Sequence, residues 1–153
     1  MKYFAYGSNC NPAVMERKGV RYRTRQPARL TGFRLLFNKR SLKPTVPAGV
    51  GFANIHLDSA GLVEGILYDL VPDDLPTLDA SERYPDHYTR ISVSVETSAG
   101  LVLCEAYQAQ LDKVATGLRP SREYLNHLLA AKDLMSEGYY LALAQTEIFV
   151  NEM

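Results

Sequence analysis

Between Tyr88 and Gln108 the chain alternates. Ile91, Val93 and Val95 are interleaved with Ser92 and Ser94, a Ser98-Ala99-Gly100 turn comes next, and Leu101–Gln108 returns. Period-two alternation sends successive side chains to opposite faces, so this segment is predicted to be an antiparallel hairpin with one apolar face. Such a face needs a core to cover it, and further strand-like stretches supply one: Lys2–Tyr6, Ala28–Asn38, Val50–Leu57 and Leu62–Leu70. Pro44, Pro47, Asp58 and Gly61 read as the breaks between them, and Gly49-Val50-Gly51 reads as a turn into a strand, since it lacks the third glycine and following helix of a nucleotide loop.

Helix signals fall outside the strands. Asn11 suits an N-cap with Pro12 at the first helical position and Gly19 as terminator. A second helix is expected from Asp73 to Arg83, with Pro76 in its first turn. Ser121 can cap a third that carries Leu125, Leu128 and Leu129 and ends at Gly138, with Tyr139–Glu147 as a fourth.

A length of 153 residues, 46% of them hydrophobic and 22% charged, fits one compact domain over 1–153. The first residues lack the charged, apolar and small-residue pattern of a leader, and no apolar run is long enough to span a bilayer, so the cytoplasm is the expected compartment and no membrane partner is expected. Cys10 and Cys104 form no zinc-like cluster and fit a reducing compartment. Charge is uneven: through Lys43 there are eleven Lys/Arg against one acid, and afterwards six against sixteen. A basic third can bind an anion or RNA. Arg21, Arg23 and Arg25, however, recur at the period of a solvated strand face, which is the preferred reading over nucleic acid.

The loop Tyr6-Gly7-Ser8-Asn9-Cys10 leaves a strand and feeds a helix start, where unpaired N–H groups and the helix dipole favour a carboxylate or a developing oxyanion. On the helix expected from Asp73, the spacing of Leu75, Leu78, Asp79 and Glu82 puts two carboxylates on an apolar stripe, a setting for acid/base work. Glu82 can equally reach solvent from the last turn, or pair with Arg83 or Arg90. Asp79 is the reserve candidate for the base. Cys10, with His56, His87 or His127, would make a thiol-dependent acyl transferase; a small buried thiol beside the loop accounts for it as well.

Two blocks decide among these. The opening Tyr3-Phe4-Ala5-Tyr6-Gly7-Ser8-Asn9 resembles the signature of gamma-glutamylcyclotransferases, and Leu78-Asp79-Ala80-Ser81-Glu82-Arg83-Tyr84-Pro85 with Tyr88 and Arg90 is similar to the segment carrying that family's catalytic glutamate. Val63–Leu70 resembles its central strand. The resemblance implies an α+β fold, a mixed sheet curled into a small barrel with flanking helices. It implies Glu82 as the catalytic residue, and Tyr6, Gly7, Ser8, Asn9, Cys10, Tyr107 and Tyr124 around the substrate. Two departures stand out: Arg83 where glycine usually comes after the glutamate, and Cys10 where a hydrophobic residue is common. On a continuing helix Arg83 points about 100° away from Glu82; at a helix end the two can pair.

The implied reaction is intramolecular aminolysis of a small-molecule γ-glutamyl compound, releasing 5-oxoproline, and it requires no metal or cofactor. Glutathione, γ-glutamyl amino acids, γ-glutamyl amines attached to lysine and antibiotic intermediates share the reacting end. The loops Lys39–Pro47 and Asp112–Arg119 are expected to choose among them. The alternative is a binding module on the same fold, holding a small carboxylate or RNA without turnover.

Overall fold

The computed structural model describes residues 1–151. Five strands close into a barrel: β1 (Lys2–Ala5), β2 (Tyr22–Arg40), β3 (Gly51–Leu70), β4 (Tyr88–Thr97) and β5 (Gly100–Ala109), in the spatial order β1-β3-β2-β4-β5. Neighbours run antiparallel except β1 and β5, which close the barrel in parallel at Tyr3 and Glu105. The mixed, closed sheet is the predicted class. Alternation along β4 and β5 sends Val93, Val95, Cys104 and Ala106 inward, onto Phe4, Ala28, Leu30, Ile55, Val63 and Leu67.

The predicted break at Asp58–Gly61 does not divide two strands. Thr31 pairs with Leu62 and Phe33 with Leu57, so Gly32 alone stands opposite Asp58–Gly61. The turn signals are genuine but build an irregularity inside one long strand: Asp58 accepts from the Ala60 N–H at 3.0 Å, and Gly32 takes φ +85°. A Cβ on Gly61 would lie 2.1 Å from the Phe33 carbonyl oxygen, so the close approach of the two strands there excludes any side chain.

β2 also starts earlier than predicted, and a register shift between Tyr22 and Thr24 breaks the arginine periodicity. One extra residue in a strand flips the side chains beyond it to the other face. Arg23 stays exposed, whereas Arg25 is half-buried, its Nη1 3.5 Å from Asp133; Arg21 precedes the strand and pairs with Asp74 at 2.9 Å. The three arginines therefore form no common solvated stripe.

The helices are α1 (Pro12–Lys18), α2 (Leu75–Ser81), α3 (Arg122–Leu129) and α4 (Glu137–Ala144). Asn11 caps α1 through the Ala13 N–H, and Gly19 ends it in the left-handed conformation, as the sequence indicates. The last two helices divide differently from expectation. α3 stops at Leu129, and Gly138 lies in the first turn of α4, where Ser136 accepts from the Tyr139 N–H and acts as the cap. A serine cap sets the helix start, and glycine near a start costs little. Among the described residues no helix is long and apolar enough to cross a membrane.

Candidate active site

α2 ends one residue before Glu82. Glu82 itself sits at φ −90°, ψ 0°, and Arg83 takes φ +51°. This is the helix-end case in which Arg83 could have reached Glu82, but the two do not pair. The left-handed residue turns the chain away, and the cation nearest the carboxylate is Lys18 of α1, Nζ to Oε1 3.6 Å. Arg90 is 3.5 Å from Asp79 instead.

The loop after β1 meets Glu82. Ser8–Cys10 form a single tight turn in which the Cys10 and Asn11 N–H groups bond the Gly7 and Ser8 carbonyls. Asn9, almost fully buried, donates its amide to Glu82 Oε1 at 2.8 Å and to the Tyr3 hydroxyl at 2.9 Å, and accepts from Lys18 Nζ at 2.7 Å. Its backbone carbonyl takes the Tyr68 hydroxyl at 2.6 Å. Every polar group of Asn9 that could let it swing is thus engaged, and Glu82 is held from the loop side.

Around this pair lies a small pocket of about 30 Å³ lined by Tyr3, Tyr6, Gly7, Ser8, Asn9, Ala53, Glu82, Tyr88 and Tyr124. Ser8, Glu82, Tyr88 and Tyr124 also line a wider cleft of about 540 Å³, so Glu82 stands at the junction of the two spaces. Tyr124 accepts from the Ala53 N–H at 3.1 Å, and Tyr88 donates to the Ala53 carbonyl at 2.8 Å. A Cβ on Gly7 would lie 3.0 Å from the Tyr124 hydroxyl, which ties glycine here to the pocket wall. Burial, with the Glu82 charge adding to it, holds the Tyr3 and Tyr6 phenols well above their ordinary value. They are protonated at neutral pH and act as hydrogen-bonding walls rather than bases.

Six of the eight residues singled out by the sequence, Tyr6, Gly7, Ser8, Asn9, Glu82 and Tyr124, line this pocket together. Tyr107 and Cys10 do not. Tyr107 stands behind it, its hydroxyl on Asp79 Oδ1 at 2.6 Å and its carbonyl receiving the Tyr6 hydroxyl. Cys10 is fully buried and its thiol donates to the Ala5 carbonyl at 3.2 Å, so neither substrate contact nor nucleophilic attack is open to it. Burial pushes its pKa up to about 12, which keeps the thiol protonated. Asp79, hydrogen-bonded by Tyr107 and ion-paired with Arg90 at 3.5 Å, is an anchor between α2 and the sheet. The helix-start reading also shifts: Asn11 occupies the Ala13 N–H, and the loop itself lines the pocket.

Of the two loops expected to face the leaving group, Lys39–Pro47 lines the wide cleft through Lys39, Ser41, Leu42, Lys43, Pro44 and Val46. Asp112–Arg119 does not. It stitches the base of that loop instead, with the Ala115 N–H on the Asn38 carbonyl at 2.9 Å and the Arg119 N–H on the Gly49 carbonyl at 3.0 Å. Tyr3, Lys18 and Tyr88 were not assigned pocket roles from the sequence; Tyr3 lay inside the signature, and no spacing connects Lys18 to Glu82.

A family model described as gamma-glutamyl cyclotransferase, AIG2-like, matches residues 3–126, which include the whole pocket. The chain belongs to that family. A solved gamma-glutamyl cyclotransferase is 25% identical with a TM-score of 0.82, covering 97% of this chain and 88% of its own. An uncharacterized protein from Homo sapiens is 26% identical at the same TM-score of 0.82, covering 99% and 90%. A yeast gamma-glutamyl cyclotransferase specific to glutathione, 17% identical with a TM-score of 0.66 over 94% and 93%, shares the fold. No curated protein matches the sequence. The cyclotransferase barrel is therefore the scaffold on which Glu82 and the Gly7–Asn9 loop are mounted.

Proposed function

We propose that the protein is a cyclotransferase that cleaves a small γ-glutamyl compound to 5-oxoproline and a free amine, with Glu82 as its acid/base. The observation that carries this reading is the position of Glu82 at the junction of a pocket and a cleft, its Oε1 fixed by Asn9 at 2.8 Å. The pocket, about 30 Å³, suits the reacting carbonyl of the γ-glutamyl end, and the cleft of about 540 Å³ takes the rest of the substrate.

In the reaction the α-amine nitrogen bonds to the γ-carbonyl carbon of the same molecule, closing a five-membered lactam, and the bond from that carbon to the leaving nitrogen breaks. One proton passes from the attacking to the leaving nitrogen through Glu82, and water is not consumed. A single carboxyl that alternates between base and acid contributes about 10²–10⁴-fold. The Cys10 and Asn11 N–H groups close the turn and that of Ser8 is directed at the Tyr124 hydroxyl, so those of Gly7 and Asn9 are outside the turn's hydrogen bonding and suit a substrate oxygen. Because nucleophile and electrophile share one chain, folding the substrate into attack geometry supplies much of the rate.

The test is turnover of γ-glutamyl-L-alanine in H₂¹⁸O. The reading expects 5-oxoproline without ¹⁸O and an equal amount of alanine. Labelled glutamate would mean hydrolysis and would overturn it.

A further inference from the structure

The wide cleft is strongly cationic. Arg17, Lys18, Lys39, Lys43 and Arg83 line it, and Glu82 is the single acid among its lining residues. Lys18 answers Glu82 at 3.6 Å, while Arg17, Lys39, Lys43 and Arg83 have no carboxylate partner among the described residues.

Lys39 is the informative one. It is only 7% exposed, yet its ammonium forms no ion pair and feels Glu82 only at longer range: Nζ lies 2.7 Å from His87 Nδ1 and 5.6 Å from the centre of the Tyr88 ring. Burying an ammonium without a counter-charge is costly, and proteins retain one where a ligand supplies the charge. A register shift between Leu36 and Lys39 sets it opposite Phe52, which lines the same cleft. Arg83 adds a second cation from the positive-φ turn beside Glu82. By contrast, no cation lines the inner pocket, so these side chains face the part of the substrate that lies outside it.

We propose that this cleft is a leaving-group subsite for a carboxylate, so that the protein prefers γ-glutamyl amino acids or peptides, whose departing amine carries an anion, over neutral or cationic γ-glutamyl amines. The inference rests on the cyclotransferase reading. Lys39 is the central contact and Arg83 the second.

The experiment compares γ-glutamyl-L-alanine with γ-glutamyl-L-alaninamide, which share shape and reacting end and differ in charge. The parent is expected to favour the carboxylate by about tenfold or more in kcat/KM, carried by KM. Lys39→Met is expected to bring the ratio near one, and Arg83→Gln, an exposed change that leaves the core intact, to lower it about two- to threefold. A parent ratio near one overturns the inference while leaving the cyclotransferase reading standing. So does an equal loss on both substrates in Lys39→Met, which would give Lys39 to the shared γ-glutamyl end. Calorimetry with Glu82→Gln separates the two claims: tighter binding of the alanine compound with no 5-oxoproline from the parent on any substrate would overturn the reaction and keep the subsite.

Discussion

Asn9 donates its side-chain amide to Glu82 Oε1 over 2.8 Å, from a loop 73 residues earlier in the chain. The same amide group serves the Tyr3 hydroxyl, and its carbonyl takes Lys18, so one buried side chain ties β1, α1 and the end of α2 together.

Asn9→Ala is therefore expected to free Glu82 and lower kcat by about 10²-fold, the scale of a misplaced reacting group, with little change in KM. Steady-state kinetics on a folded variant checks it. A loss confined to KM would mean that Asn9 binds substrate and does not hold Glu82.

Asp79 and Glu82 lie three residues apart, yet only Glu82 faces the pocket. Asp79→Asn is expected to retain turnover within a few-fold and to lose about 1–3 kcal/mol of stability, because it weakens a partly buried acceptor of Tyr107 and removes the charge paired with Arg90. Urea denaturation and the 5-oxoproline assay measure the two effects separately.

The Gly7 position is expected to couple to Tyr124. Gly7→Ala puts a methyl 3.0 Å from the Tyr124 hydroxyl and 3.2 Å from Ala53 Cβ, a crowding that costs about 1–3 kcal/mol. Tyr124→Phe removes the atom in the way. The double variant should therefore fall short of the summed losses by about 0.5 kcal/mol or more in a denaturation cycle.

Lys39 gives a pH dependence. Burial first, opposed by Glu82 and aided by the cations Arg83, Lys113 and Arg40, lowers its pKa from 10.5 to about 8. Between pH 8 and 10.5 the folded chain then binds fewer protons here than the unfolded chain, so this group makes stability rise with pH across that window. The difference in urea midpoint between Lys39→Met and the parent is expected to move in the parent's favour from about pH 7.5 to about pH 10. An unchanged difference would mean that Lys39 titrates normally.

How far the sequence foretold this molecule depends on how local each residue's determinants are. The hairpin Tyr88–Ala109 was legible because alternation and a turn are local. So were the Asn11 cap, the Gly19 stop and the pocket loop, whose residues sit together in one short run. Lys39 was not: its place opposite Phe52 depends on a register shift, and that shift depends on the partner strand. The same reason hid Arg25. The long β3 was missed because Asp58 and Gly61 make the same local turn whether the chain pauses or ends there. Lys18 meets Glu82, and Tyr3 joins it around one pocket, only through tertiary closure of β1 against β3 and of α1 against α2, which no spacing records.

The most direct measurement of the central claim is 5-oxoproline release by Glu82→Gln, which keeps the side chain's shape and removes its proton traffic. Circular dichroism should show the parent fold, γ-glutamyl-L-alanine should still bind, and the rate should fall by about 10²–10⁴-fold. A folded Glu82→Gln that turns substrate over at the parent's rate would contradict the account, because the proton would then travel by a route that does not include Glu82.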